Sequence, residues 1–413
     1  MLTTPSEDAV REILLRIDDV ATLFRCAATC ERWRRLVGKP SFLIRRNRWP
    51  PPPSLGFFSQ RLGTPGTDSS IQQLTFAPLA GLRVFGTHPH ALRSFLRAND
   101  VAAAAAIVSA VPLAARGGLL LLRIYARGED LKHNIVRLAV CNLLAGTWDM
   151  LPKLHCISNP YTCAILPSSG PAQTFRVLMI GADRYNAQFN LHAFASSEPS
   201  SWRAPTKCFD MMERQIWSVE QEEAVVCRGM VHWLFVSKSN HFHVLNVNAK
   251  TGHVSLTKLR NPTKEVLPIV YSNRRPQQAF SANRLTTTAC GTQLSLCMYS
   301  GRHLEIWTQE QDDGDLMRND DDAVWIRTTL INHKLTNLFQ QLEQPSCIWS
   351  GERGRTLLIT DYHKERKYIA HLDAGTLKEV TGQFRDIAWS TIMPMEIDWP
   401  TFFMLRLGGP PLH

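Results

Sequence analysis

Apolar positions keep two different rhythms along this chain. Near the N-terminus, Val10, Ile13, Leu14 and Ile17 follow the i, i+3, i+4, i+7 spacing of an amphipathic helix. Val20, Leu23, Phe24 and Ala27 repeat that template, and a third helix would place Cys30, Trp33 and Val37 on one side. "TPSE" has the form of a capping box, with Thr4 as cap, Pro5 at the first helical position and Glu7 three residues on. Ser6 is an equally good cap. Asp18 or Asp19 restarts the second helix, Thr29 caps the third, and Gly38 and Pro40 stop it.

Beyond residue 56 the rhythm shortens to two. "GGLLLLRIY", "TFRVLMIGA", "GMVHWLF", "FHVLNVN", "TQLSLCMY", "HLEIWT" and "RTLLITDY" read as strands, separated by Gly, Asn, Asp and Pro. The Ala-rich stretch Val101 to Ala115 fits either a helix or a buried strand. It is shorter than the ~20 residues a helix needs to cross a bilayer, and Pro112 interrupts it. Between the two textures, Arg45, Arg46 and Arg48 lead into "WPPPP", Trp49 to Pro53, which favours an extended spacer. The expected layout is therefore helices over 4–46, a basic, proline-rich linker over 47–56, a β domain over 57–404 and a tail over 405–413.

The strands also repeat. Units open near Gly117, Gln173, Gly229, Gly291 and Gly354, at intervals of roughly sixty residues. The units from Gly229 and Gly354 each have a Gly-led strand, a polar turn, a second strand, a Gly-containing turn and a third strand. Such a period in an all-β setting predicts a β-propeller of about six blades, because each small sheet leaves apolar faces that only its neighbours can cover. The fold class expected is mainly β, a C-terminal β-propeller preceded by a small unit of three short helices. The propeller is expected to own its core, whereas three short helices cannot bury enough surface to be stable alone.

The helical segment closely resembles the F-box, in the form common among large plant F-box families. The resemblance rests on "EILLRI" (Glu12 to Ile17), on Cys30, Trp33, Arg34, Arg35, Leu36 and Val37, and on the closing Pro40, Phe42 and Leu43. Thr4 stands where the family usually has Leu before Pro5, and Asp18 where many members have Pro. The first difference implies weaker adaptor binding, not its loss. The strand region is similar, more loosely, to the propeller-like associated domain of plant F-box proteins, on phrases such as "AVCNLLAGTWDMLP". The resemblance implies a substrate-recognition subunit of an SCF-type E3 ubiquitin ligase. Its helices would dock a Skp-type adaptor, and through it cullin and RING subunits, while the propeller binds a target protein. Carried over by position, Pro5, Val10, Ile13, Leu14, Ile17, Leu23 and Trp33 are the adaptor-binding candidates, some of which must be the module's own core.

Composition changes little in this picture. Of 413 residues 44% are hydrophobic and 20% charged, ordinary for a globular chain. The ten cysteines form no CxxC pair. Together with the absence of a signal peptide and of an N-x-[ST] sequon, that points to reduced thiols in the cytosol or nucleus. The net charge of +10 keeps one rival open, a basic nucleic-acid module with Arg32, Arg34 and Arg35 on phosphates. A propeller enzyme is the other rival.

Candidate chemistry is thin. His241 and His243, with His232 and Cys227 near in sequence, lack a second pair at zinc-like spacing and read as polar surface. "GERGR", Gly351 to Arg355, lacks the phosphate-cradling lysine and reads as a hairpin turn. The acidic run Glu310 to Ala323 lacks EF-hand order and reads as a solvated loop. No cofactor, metal, membrane partner or catalytic residue is expected. Trp148, Trp233, Trp307, Trp325 and Trp349 read as blade core, with one or two at the channel mouth.

Overall fold

The computed structural model describes residues 5–46, most of 107–259 and, elsewhere, the strands named below together with 293, 399, 400, 403 and 407. Four short helices come first: α1 (Glu7–Leu15), α2 (Val20–Thr29), α3 (Glu31–Gly38) and α4 (Pro40–Arg45). Ser6 caps α1, its hydroxyl accepting from the Ala9 N–H at 3.2 Å. Asp19 caps α2 by accepting from the Thr22 N–H at 2.7 Å.

Two expectations are corrected here. Thr29 does not cap α3: its hydroxyl donates back to the Cys26 carbonyl at 2.7 Å, and the capping position belongs to Cys30, which is exposed. Nor does Pro40 only end a helix. It begins α4, where a missing N–H costs nothing and a fixed φ helps.

Strands make up most of the remainder. β3 (Ile107–Arg116), β4 (Leu119–Ala126), β5 (Ile135–Asn142) and β6 (Thr147–Met150) form one antiparallel meander, with β7 (Leu154–His155) on β5. β8 (Pro160–Pro167), β9 (Phe175–Asp183), β10 (Gln188–Ala195) and β11 (Thr206–Asp210) form the next. A four-residue helix, α5 (Met211–Arg214), leads to β12 (Ile216–Val219), β13 (Val225–Cys227), β14 (Met230–Ser237), β15 (Phe242–Asn248) and β16 (Val254–Lys258). Two further sheets hold β17 (Arg284–Thr287) to β20 (Trp325–Leu330), and β21 (Pro345–Ser350) to β24 (Thr376–Glu379). A three-stranded sheet joins the first and last strands: β1 (Ser54–Arg61) lies between β2 (Gln73–Pro78) and β25 (Met393–Glu396). The fold is propeller-like. Five sheets are blades made from consecutive stretches of chain, and the sixth sheet closes the arrangement.

The ambiguous Ala-rich stretch is a strand over its described part. Pro112 lies in β3, at the end of its sheet and beside a register shift, where a proline is tolerated. Two of the glycine-led units open at tight turns. Gly117 and Gly118 stand at φ +56° and +82° between β3 and β4, and Arg228 and Gly229 at +49° and +75° between β13 and β14. Both pairs need the left-handed region at each position, which is the two-residue hairpin geometry that glycine supplies.

Blade packing follows from strands that are apolar on both sides. In β4, Leu120, Leu122 and Ile124 enter one cluster while Leu119 and Leu121 enter another. In β9, Val177 and Met179 face the second cluster, and Leu178, Ile180 and Ala182 a third, which also takes Val231, Trp233 and Phe235 of β14. Leu234 and Val236 turn to a fourth, with Leu285, Leu294 and Leu296. Each of the first three blades is thus covered on both faces. "GERGR", the acidic run and the "WPPPP" linker lie outside the described residues.

The helices do not stand apart from this stack. One buried cluster contains Leu14, Leu23, Leu36 and Phe42 of the helices, Phe58 of β1, Leu120 and Cys141 of the first blade, and Met393 of β25. Phe403 and Leu407, helical residues near the C-terminus, complete it, and Phe403 meets Phe24 edge-on at 5.9 Å. No helix among the described residues is long and apolar enough to cross a membrane.

Because Phe403 is buried between the helices and the sheets, Phe403→Ala should leave a cavity costing about 3–5 kcal/mol. The loss should appear as a lower melting temperature of the full chain and faster amide exchange in α2. A variant with unchanged melting and exchange would mean that this contact does not hold the helices.

Candidate adaptor-docking surface

The docking candidates divide by depth. Val10, Leu14 and Leu23 are buried and form the shared interior. Ile17 and Trp33 are half-buried and pack against its edge. Pro5 is exposed, and Ile13 is 61% exposed, unusual for a large aliphatic side chain. The seven candidates therefore do not form one surface. Pro5, Ala9, Ile13 and Ile17 recur every fourth position down one side of α1 and its continuation, with Ala9 also exposed. Val10 and Leu14 hold the inward stripe. One short helix thus carries two apolar stripes, one satisfied internally and one open to solvent.

Polar contacts fix the angle at which the open stripe is presented. The Lys39 ammonium reaches Glu7 at 2.9 Å and Arg45 reaches Glu12 at 2.8 Å, tying the start of α4 and its end to α1. The Lys39 hydrogen bond, helped by its charge, holds the Glu7 carboxyl below the usual carboxylate range. These pairs are exposed, so they set geometry more than stability. Arg46 is buried and donates to the Asp18 carbonyl at 3.0 Å, pinning the turn between α1 and α2. Burial lowers its guanidinium pKa, while Asp18 and Asp19 oppose that shift.

Two of the three arginines offered for phosphate contact, Arg32 and Arg35, have other work. Arg32 donates to the Pro5 carbonyl at 2.7 Å, and Arg35 lies 3.7 Å from Glu31. The histidines make separate contacts, and His232 and His243, read from the sequence as polar surface, are buried. His232 Nδ1 is 2.8 Å from the Asn246 side-chain oxygen, His241 Nδ1 is 2.7 Å from the Ser239 hydroxyl, and His243 stands opposite Phe235. Among the described residues no three His, Cys, Asp or Glu side chains gather as metal ligands. The cysteines described are free thiols, and burial pushes Cys141, Cys208 and Cys297 up to about 12, far from thiolate reactivity at neutral pH. Trp233 is fully buried between blades, and Trp148, Trp307 and Trp325 are half-buried. The Trp349 side chain lies outside the described residues.

With the geometry in place, the helical unit can be identified. Residues 6–45 match the F-box domain. Comparison with curated proteins returns no sequence match. Among solved structures, the chain is similar to one in the nidogen/laminin complex, with 11% identity, a TM-score of 0.42, and coverage of 83% of this chain and 98% of that one. TolB from Acinetobacter baumannii gives 13% identity and a TM-score of 0.43, over 83% of this chain and 67% of its own. The β-propeller domain of Swd1 from Myceliophteria thermophila gives 11% and 0.40, over 79% and 82%.

The two stripes of α1 should respond in opposite ways to substitution. Leu14→Ala removes fully buried methyl groups and should cost about 2–5 kcal/mol. Ile13→Asp changes an exposed site and should move stability by no more than about 0.5 kcal/mol. Denaturant titration of the two variants checks this, and comparable losses would mean that Ile13 is covered in the folded chain.

Proposed function

We propose that this chain is the substrate-recognition subunit of an SCF-type E3 ubiquitin ligase. On this reading the helices dock a Skp-type adaptor, the adaptor brings cullin and RING subunits, and the propeller holds a target protein. The match of residues 6–45 to the F-box domain carries the proposal. Its physical support is the open stripe of Pro5, Ala9, Ile13 and Ile17, whose burial against an adaptor would remove apolar surface from water.

The chain would supply proximity, not catalysis. Ubiquitin transfer would belong to the RING-bound conjugating enzyme, with target lysines held near it. The adaptor contact would run through Pro5, Ile13 and Ile17, with Trp33 at its edge, and Val10, Leu14 and Leu23 would support it from beneath. Work in the cytoplasm or nucleus fits the free thiols among the described residues, and a plant-type F-box protein rests on the sequence resemblance alone.

Ile13→Asp with Ile17→Asp should abolish co-purification of a Skp-type adaptor with the full chain, because two charges would enter a desolvated apolar contact. Circular dichroism must show the variant folded. A folded variant that still recovers adaptor normally refutes this contact. Binding of the unmodified chain to duplex DNA that falls steeply with salt would favour the basic nucleic-acid module. Turnover in an activity screen would favour a propeller enzyme.

A further inference from the structure

The end of the propeller that carries α5 has a constructed surface of its own. Tyr185, in the turn between β9 and β10, is 86% exposed, and Met212 on α5 is 62% exposed. Single exposed apolar residues are common and need no explanation. These two are held in place by their turns. The Asp183 carboxylate accepts from the N–H groups of Tyr185 and Asn186 at 3.1 Å each, and the Ala187 carbonyl accepts from the Met211 N–H at 2.7 Å. The next blade joins the same surface, where the Lys238 N–H donates to the Gln215 carbonyl at 3.0 Å. Beneath lie Phe189, Phe209 and Phe235, with ring centroids 4.9, 5.2 and 5.3 Å apart, giving the turns a rigid floor.

Positive charge borders the apolar pair. On β15, His243 stands opposite Lys258 of β16. Burial pushes the imidazole down to about 4, and the charges of Lys258, His241 and Arg214 add to that. Arg214 immediately precedes Gln215, whose carbonyl accepts from the Lys238 N–H at the end of β14. Arg214 and Lys258 are exposed and make no ion pair among the described residues. The neighbouring carboxylates are engaged elsewhere. Asp183 serves its own turn, and Asp210 caps α5 through the Met212 and Glu213 N–H groups at 2.9 and 3.3 Å, with Lys207 at 3.9 Å. Glu213 on α5 is exposed and makes no ion pair among the described residues. An apolar centre with a rim of one charge sign is complementary to an apolar side chain flanked by the opposite sign.

We propose that this end of the propeller binds an acidic segment of a target protein. Tyr185 and Met212 receive an apolar side chain of that segment, and Arg214, His241 and Lys258 its flanking carboxylates. That the bound protein is a ubiquitination target rests on the receptor reading above; the binding itself does not.

The test uses the full chain and a fluorescently labelled peptide of alternating Glu and Leu, with a counterpart in which Lys replaces Glu. Fluorescence anisotropy should show the acidic peptide binding, weakening as salt rises, and the basic one not binding. Arg214→Glu with Lys258→Glu should weaken the acidic peptide at least about tenfold. Tyr185→Ser with Met212→Ser should weaken it without changing the salt dependence. All four positions are exposed, so melting should be unchanged; if charge reversal disturbs folding, Arg214→Gln with Lys258→Gln serves instead. Bound carboxylates should also raise the His243 pKa, read by NMR titration with and without peptide. Equal binding of the two peptides, indifference to charge reversal, or displacement by more tightly held duplex DNA would overturn the proposal. Adaptor recovery is measured in parallel. Peptide binding without adaptor recovery refutes the receptor reading and leaves this site standing, and the reverse refutes this site alone.

Discussion

Everything in this chain depends on sheets that are apolar on both faces. A blade such as β3–β7 cannot face water on either side, because alternate residues of β4 supply two different interiors. Burial on that scale, about 25 cal/mol per Å² of apolar surface, forces each blade between two neighbours. An open row of such blades would leave two bare faces. Pairing β1 with β25 brings the first and last strands into one sheet, and the face of the first blade is covered there.

That closing sheet explains the position of the F-box helices. It has three strands among the described residues, and the cluster it shares with the first blade is filled from outside by α1 to α4 and by Phe403 and Leu407. The helices gain what a unit of their size lacks, a large apolar surface to rest on. In return they shield the seam where the first and last strands meet. The same packing takes up Val10 and Leu14, which leaves Ile13 on the other side of α1 open to solvent.

Much of this was legible in the sequence, for identifiable reasons. Strands apolar on both sides, such as those of β4 and β14, announce themselves through composition, and their Gly-led turns mark the units. The F-box was legible because many positions agree in order and spacing. Caps were less so: Ser6 and Thr4, or Thr29 and Cys30, differ by local hydrogen bonds that a sequence does not display. The division of the docking candidates into buried and exposed was not legible, because Ile13 and Leu14 are adjacent, equally apolar and one helical step apart. Contacts between distant parts were hidden entirely. Nothing near Phe24 points to Phe403, and nothing in "DRYNA" or "MMER" shows that Tyr185 and Met212 come from adjoining turns.

The shared interior bears on how a receptor of this kind would work. Two binding sites joined by a flexible linker sample many separations, and the effective concentration of one at the other falls as the linker lengthens. Here the helices and the first blade are packed into one cluster, so the open side of α1 is fixed relative to the blades whatever the 47–53 segment does. A bound target would then be held at a set distance and orientation from the adaptor. Which of its lysines could be reached would depend on the shape of the target rather than on the length of a tether. Polar contacts at Glu7, Glu12 and Arg46 set the tilt of α1 on this platform, although the exposed pairs among them add little stability. The rigidity of the arrangement comes from its apolar core, and its direction from a few polar contacts.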